Sequence, residues 1–217
     1  QYDIKPGVRG LIFDLDGTLV QTERLKALSY ARAIEDLCPG TVQEADVLTA
    51  FREVVGLSRR EVALRLIDHF HLADRLAAHL TDYQVTTAWQ VLVQARLRYY
   101  DALLADPDML RDHQWPRTVG VLRSARASGL KTGMATMSYC PQVRHIIGVL
   151  GWADLFDFVA SREDVECAKP DPEIYTLVAA ELATAPRDCL VIEDSPVGVQ
   201  AALAAGAACI AAATSFT

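Results

Sequence analysis

The chain has 217 residues, 51 % hydrophobic and 23 % charged, enough for a true core and for one large domain or a domain carrying a sizeable insertion. Its formal net charge is −7 and its longest run of basic residues is the pair Arg59–Arg60, which argues against a nucleic-acid partner, since phosphate-backbone binding needs a clustered basic face. No apolar run is long enough to span a bilayer, and the N-terminus lacks the basic-then-apolar order of a signal peptide, so no membrane association is expected.

In chain order, the first expected strand is Gly10–Phe13. From Thr22 to His113 the pattern is helical, without a convincing strand. Ser58-x-x-Glu61 is a capping box opening a helix with Ala63, Leu66, Ile67 and Phe70 on one face. A longer helix is expected to carry Trp89, Leu92, Val93, Leu97, Tyr100 and Leu104 as one stripe. After Arg117 short apolar segments return: Lys131–Ala135, Asp157–Ala160, Cys189–Ile192 and Ala208–Ala212. Between them lie helix signals. Val143, Ile146, Ile147 and Leu150 precede a stop at Gly151; Asp171-Pro172 and Ser195-Pro196 read as N-cap and first helical residue, and Gly206 as a C-terminal stop. This alternation predicts an α/β fold: a Rossmann-like parallel sheet with helices on both faces, formed by residues 1–21 and 114–217, with an all-helical unit of residues 22–113 inserted after the first strand.

The five cysteines, Cys38, Cys140, Cys167, Cys189 and Cys209, are odd in number, widely spaced and without C-x-x-C. That argues against a disulfide framework or a zinc site and for a reducing, cytoplasmic compartment. The five histidines are scattered apart from His69 and His71 and read as surface or packing residues. The chain starts at Gln1 rather than Met and stops soon after an apolar strand, as expected of a sequence trimmed at both ends.

Four places share one feature: polar residues expected at the carboxyl end of a strand, the edge of an open parallel sheet where ligands bind. The first is Asp14-Leu15-Asp16-Gly17-Thr18, where two carboxylates would repel unless a cation lies between them and Gly17 permits a close turn. The others are Thr136 with Ser138, Lys169 before Pro170, and Glu193-Asp194. Singly, each has a plain reading: a solvated turn, a capping hydroxyl, a surface lysine, an acidic pair favouring the helix that follows. Together, Asp14, Asp16, Glu193, Asp194, Lys169 and Thr136 would converge on one edge, and an oxygen-only ligand set selects Mg²⁺ over zinc or copper.

D-x-D-G-T, then Thr136, then Lys169 before Pro170, then Glu193-Asp194-Ser195-Pro196-Val197-Gly198 resembles the haloacid dehalogenase-like phosphatase superfamily over essentially the whole chain, most closely its beta-phosphoglucomutase and sugar-phosphate phosphatase group. The helical insertion resembles that family's cap, and Gly56-Leu57-Ser58-Arg59 its cap loop. The resemblance implies a phosphatase acting on a small phosphorylated metabolite. It implies that Asp14 attacks phosphorus and becomes an aspartyl-phosphate, that Asp16 serves as acid and base, and that Thr136 and Lys169 bind the phosphoryl oxygens. It further implies that Mg²⁺ is held by Asp14, the Asp16 backbone carbonyl and Asp194, with Glu193 supporting the shell. Ser138, Arg59, Arg96 and Lys26 are the expected substrate-binding residues.

Departures shape the alternatives. Dehalogenases generally lack the second carboxylate that Asp16 supplies here, so carbon–halogen cleavage is the weaker reading. Lys26 stands where the mutases carry His, and a lysine keeps a fixed charge where histidine switches, which weighs against phosphomutase chemistry. Arg59 is expected at N1 of its helix. Arg96, on an apolar stripe, is expected either to meet substrate or to snorkel along the stripe edge. A silent binding module of the same fold is the third alternative; it has no need of all six core residues.

Overall fold

The computed structural model describes residues 7–214. In chain order its elements are β1 (Gly10–Phe13), α1 (Thr22–Leu37), α2 (Glu44–Phe51), α3 (Arg59–His69), α4 (Ala73–Ala77), α5 (Ala88–Ala105), α6 (Pro107–Asp112), α7 (Pro116–Ala127), β2 (Lys131–Ala135), α8 (Cys140–Leu150), β3 (Phe158–Ala160), α9 (Glu173–Glu181), β4 (Cys189–Glu193), α10 (Pro196–Ala204) and β5 (Ala208–Ala211). The described residues divide into two compact units, one holding residues 7–21 and 110–214, the other Thr22–Met109. No helix among the described residues is long and apolar enough to cross a membrane.

The first unit is an α/β layer structure. Its five strands run parallel in the order β3-β2-β1-β4-β5. Every residue of β1 is buried, which is why Gly-Leu-Ile-Phe shows no alternation: it is the central strand, with apolar cover on both sides. Ile12 packs with Ala135 and Val191 against Ile174, Tyr175 and Val178 of α9 and Ala201 of α10, while Leu11 and Phe13, on the other face by the two-residue period, are fully buried as well. α9 lies so close to β2 that a Cβ on Gly133 would come 2.4 Å from Val178 Cγ1. That close packing fixes the height of α9 over the sheet.

Strand and helix ends differ from the sequence-based expectation by one residue at several points. Asp157 does not begin β3; its carboxylate instead accepts from Thr132 N at 2.9 Å and Arg126 Nη1 at 2.7 Å. β4 runs one residue further, so Glu193 is itself a strand residue, and β5 stops at Ala211, although Ala212 N still donates to Glu193 O at 2.6 Å. α9 starts after Pro172 rather than at it, because the Asp171 carboxylate accepts from Glu173 N at 3.0 Å and closes a turn first. The stops at Gly151 and Gly206 are present, both with positive φ.

The second unit is helical, with no strand among its residues. Both halves of the Ser58–Glu61 capping box are made. The buried stripe of α5 is not the expected one: Val91, Leu92, Ala95, Arg96, Tyr100, Leu103 and Leu104 are buried, while Trp89, Val93 and Leu97 are only partly so. The helix is flanked by α1, α3 and α4 together, so its apolar face is set by three neighbours and not by one seam.

Candidate active site

The registers Phe13↔Met134 and Phe13↔Ile192 bring the carboxyl ends of β2, β1 and β4 level with one another. The residues that leave those ends are the ones picked out in the sequence. Asp14, 5 % exposed, continues the ladder through its N–H to Ile192 O at 3.0 Å, and Thr136 does the same to Ala160 O at 3.0 Å. Lys169 is not at a strand end as expected: β3 stops at Ala160, and the lysine arrives from the loop beyond it, anchored by Glu173, whose carboxylate accepts from Glu166 N at 3.0 Å and Cys167 N at 2.8 Å.

Lys169 is the hub. Its side chain is 4 % exposed, and its ammonium donates to Asp14 Oδ1 at 2.7 Å, Glu193 Oε1 at 2.7 Å and Ala135 O at 3.0 Å. Both oxygens of Glu193 are engaged. Oε1 also accepts from the Tyr175 hydroxyl at 2.9 Å, and Oε2 accepts from Ser195 N at 2.9 Å and Ser195 Oγ at 3.0 Å. α10 closes over this carboxylate because Gly198 has no side chain; a Cβ there would lie 1.7 Å from Glu193 Oε1. Gly17, with φ +85°, does the same for Asp194: a Cβ would lie 2.0 Å from Oδ2, while Thr18 Oγ1 donates to Oδ1 at 3.2 Å. Asp14, Glu193 and Asp194 each place a carboxylate oxygen within 4.8 Å of the others.

Asp16 is turned away from that cluster. Its Oδ2 accepts from Thr136 Oγ1 at 3.0 Å and Ser138 Oγ at 2.6 Å, and its Oδ1 is buried without a hydrogen-bond partner. The two carboxylates of the first motif thus have separate surroundings, one against an ammonium and two other carboxylates, one against two hydroxyls.

The charges are strongly perturbed. Burial pushes the Asp14 carboxyl well above its ordinary value; Lys169 opposes this, and the charges of Glu193, Asp16 and Asp194 add to it. Burial alone would also raise Glu193, but the Lys169 ammonium and the hydrogen bonds to it outweigh burial and hold that carboxyl below its usual range. Burial would strip the proton from Lys169; the Asp14 and Glu193 carboxylates reverse this and raise it, so the group is an ammonium at neutral pH. Several acidic side chains around one cation leave local negative charge in excess, and the donors are all oxygen. Such a set fits a hard divalent cation such as Mg²⁺.

The remaining expected residues lie in the helical unit. Lys26 Nζ is 2.5 Å from Glu23 Oε1. Arg59 is the first residue of α3, and its carbonyl accepts from the Tyr30 hydroxyl at 3.4 Å. Arg96 does not snorkel: it is 5 % exposed, its guanidinium lies 5.0 Å from the ring centroids of both Tyr30 and Tyr100, and its Nε has no hydrogen-bond partner. Thr18, Tyr175 and Gly198 were missed as site members. Thr18 belongs to the D-x-D-G-T run and Gly198 to the Glu193–Gly198 run, whereas a lone Tyr on a helix gives no sequence signal.

A family model described as haloacid dehalogenase-like hydrolase matches residues 8–206. The chain belongs to the haloacid dehalogenase-like hydrolase family. Among curated proteins it is 30 % identical over 202 residues to the phosphoglycolate phosphatase of Shigella boydii, covering 92 % of this chain and 79 % of that one. Among solved structures it is similar to beta-phosphoglucomutase from Clostridium difficile, with a TM-score of 0.61 and 22 % identity over 94 % of this chain and 84 % of that one. It is similar also to CbbY from Rhodobacter sphaeroides in complex with phosphate, with a TM-score of 0.62 and 24 % identity over 97 % and 88 %. These two likenesses establish the fold. Family and relatives together make the chain an enzyme, a hydrolase of the phosphatase kind.

Proposed function

We propose that this enzyme is a Mg²⁺-dependent phosphatase that hydrolyses a small phosphate monoester, such as a sugar phosphate or a phosphorylated acid, through an aspartyl-phosphate on Asp14. The observation that carries the reading is the buried Lys169 ammonium bridging Asp14 and Glu193 inside the Asp14, Glu193 and Asp194 cluster. The phosphoglycolate phosphatase relatives support the substrate class. Asp14 and Asp194, with the Asp16 backbone carbonyl, would hold the ion, and Glu193 would support the shell through Lys169. Bound there, Mg²⁺ supplies the positive charge that lets an anionic nucleophile approach an anionic phosphate.

An Asp14 carboxylate oxygen attacks phosphorus as the bond to the ester oxygen breaks, and protonated Asp16 delivers its proton to that leaving oxygen. The Asp16 carboxylate then takes a proton from water, whose oxygen attacks phosphorus, releasing phosphate and restoring Asp14. Thr136, Ser138 and Lys169 grip the phosphoryl oxygens. The hydroxyls do so by leaving Asp16 Oδ2, and the lysine by giving up the Ala135 carbonyl. The helical unit is the cap, and Arg59, Arg96 and Lys26 read the remainder of the substrate. The five free cysteines fit a cytoplasmic setting.

A panel of phosphate esters assayed for phosphate release tests the reading. Turnover should vanish in chelator and return with Mg²⁺; full activity in chelator would sink it. Cap selectivity has its own check: Arg59→Ala should raise KM for phosphorylated sugars more than for a small generic ester, and an equal change for both removes Arg59 from substrate reading.

The mutase reading is favoured by likeness of fold and opposed by Lys26, whose fixed charge is paired with Glu23. Incubated with glucose 1-phosphate and a bisphosphate primer, the enzyme should release phosphate faster than it makes glucose 6-phosphate. Efficient isomerisation without net phosphate release would reverse the order.

A further inference from the structure

Tyr175 takes no part in the proposed bond-making, yet it touches both members of the central ion pair. It sits in the first turn of α9, 1 % exposed, at the height that the close packing at Gly133 imposes. Its ring centroid is 4.9 Å from Lys169 Nζ, and its hydroxyl donates at 2.9 Å to Glu193 Oε1, the same oxygen that accepts from Lys169 at 2.7 Å. Ser195 holds the other oxygen of Glu193 with two hydrogen bonds, and α10 closes against that carboxylate at Gly198. Glu193 is therefore held by Ser195 from behind and by Tyr175 and Lys169 in front. Remove the hydroxyl, and Oε1 is left with Lys169 alone to orient it. With Oε2 still held by Ser195, Oε1 can then shift toward the space the hydroxyl leaves, and the ammonium aimed at Asp14 shifts with it.

We propose that Tyr175 is a positioning residue whose hydroxyl locks Glu193 as the fixed counter-ion of Lys169, so that the ammonium stays aimed at Asp14 and at the incoming phosphoryl group. The hydroxyl acts only through Glu193. The inference rests on the phosphatase reading. A plainer role, that of a core tyrosine whose hydroxyl is merely satisfied by Glu193, predicts a cost to stability with kcat left at the parent's value.

The Tyr175→Phe variant separates the two, because it keeps the ring beneath Lys169 and removes one hydrogen bond. It is compared with the parent, with Glu193→Gln and with the double variant. The readouts are kcat and KM for p-nitrophenyl phosphate at saturating Mg²⁺, and Mn²⁺ affinity by water-proton relaxation. Tyr175→Phe is expected to lower kcat about tenfold, with KM and the Mn²⁺ dissociation constant within about twofold of the parent. In the Glu193→Gln background the same change should alter kcat less than about twofold. A parent-level kcat in Tyr175→Phe overturns the proposal. So does an equal fold loss in both backgrounds, or a loss of Mn²⁺ affinity that tracks kcat. If Glu193→Gln turns over too slowly to measure, the single-turnover release of p-nitrophenol with enzyme in excess replaces kcat in the same four-way comparison, with the same ratios deciding. A parent enzyme that neither releases phosphate from the ester nor binds it refutes the phosphatase reading, and this inference with it.

Discussion

Asp14→Asn is expected to yield no phosphoenzyme under any condition, whereas Asp16→Asn should still form one from an activated ester and then hold it. The difference follows from the surroundings of the two carboxylates. Asp14 faces Lys169, Glu193 and Asp194, where an amide can neither attack phosphorus nor balance the ammonium. Asp16 lies against Thr136 and Ser138, outside that cluster, so its replacement by the near-isosteric Asn keeps the backbone carbonyl and should change Mg²⁺ affinity little. What it loses is proton transfer. Turnover should fall by about 10²–10⁴, the usual worth of general acid–base help, and most severely for esters with poor leaving groups. An ester with a good leaving group needs less protonation and still phosphorylates Asp14; the intermediate then persists because water lacks its base. Trapping of labelled phosphoenzyme from both variants checks this. Phosphoenzyme on the Asp14 variant, or parent-rate turnover by the Asp16 variant, would falsify the assignment.

Lys169→Met is expected to damage fold and catalysis together. The side chain is nearly inaccessible, and its removal leaves Asp14 and Glu193 buried against each other without their shared cation. Breaking a buried pair from one side costs about 3–5 kcal/mol, because the remaining charges keep their desolvation cost and lose their compensation. For a chain of this size that corresponds to roughly 6–20 °C in the melting midpoint. Loss of a positioned donor to the phosphoryl oxygens adds about 10²–10³ in turnover. Thermal unfolding without added metal isolates the first effect, since a bound divalent cation would take over part of the neutralisation. A midpoint and a turnover both equal to the parent's would show that Lys169 is neither the counter-ion nor a phosphoryl ligand.

Much of this protein was legible along the chain, for a definite reason. In a parallel sheet the ligand-binding edge is built from residues that directly follow apolar strands, so Asp14 after Gly10–Phe13, Thr136 after Lys131–Ala135 and Glu193-Asp194 at the end of β4 could be read from local pattern alone. The helical character of Thr22–Met109 was equally local, since periodicity, the Ser58–Glu61 box and the lack of alternating runs all act within a few residues. Only the tertiary structure decided the rest, because it depends on which distant atoms meet. Glu193 has both oxygens spent on Lys169, Tyr175 and Ser195, a fact spread over positions 169–195. Asp16 turns from Asp14 toward Thr136 and Ser138, 120 and 122 positions away, which no spacing rule encodes. Arg96 sits buried between two tyrosines and not along a stripe edge, because the packing of α1, α3 and α4 around α5 chose which face went inward. Sequence pattern names the residues that can bear charge at a sheet edge; the three-dimensional hydrogen-bond network assigns each charge its partner, and with it a role.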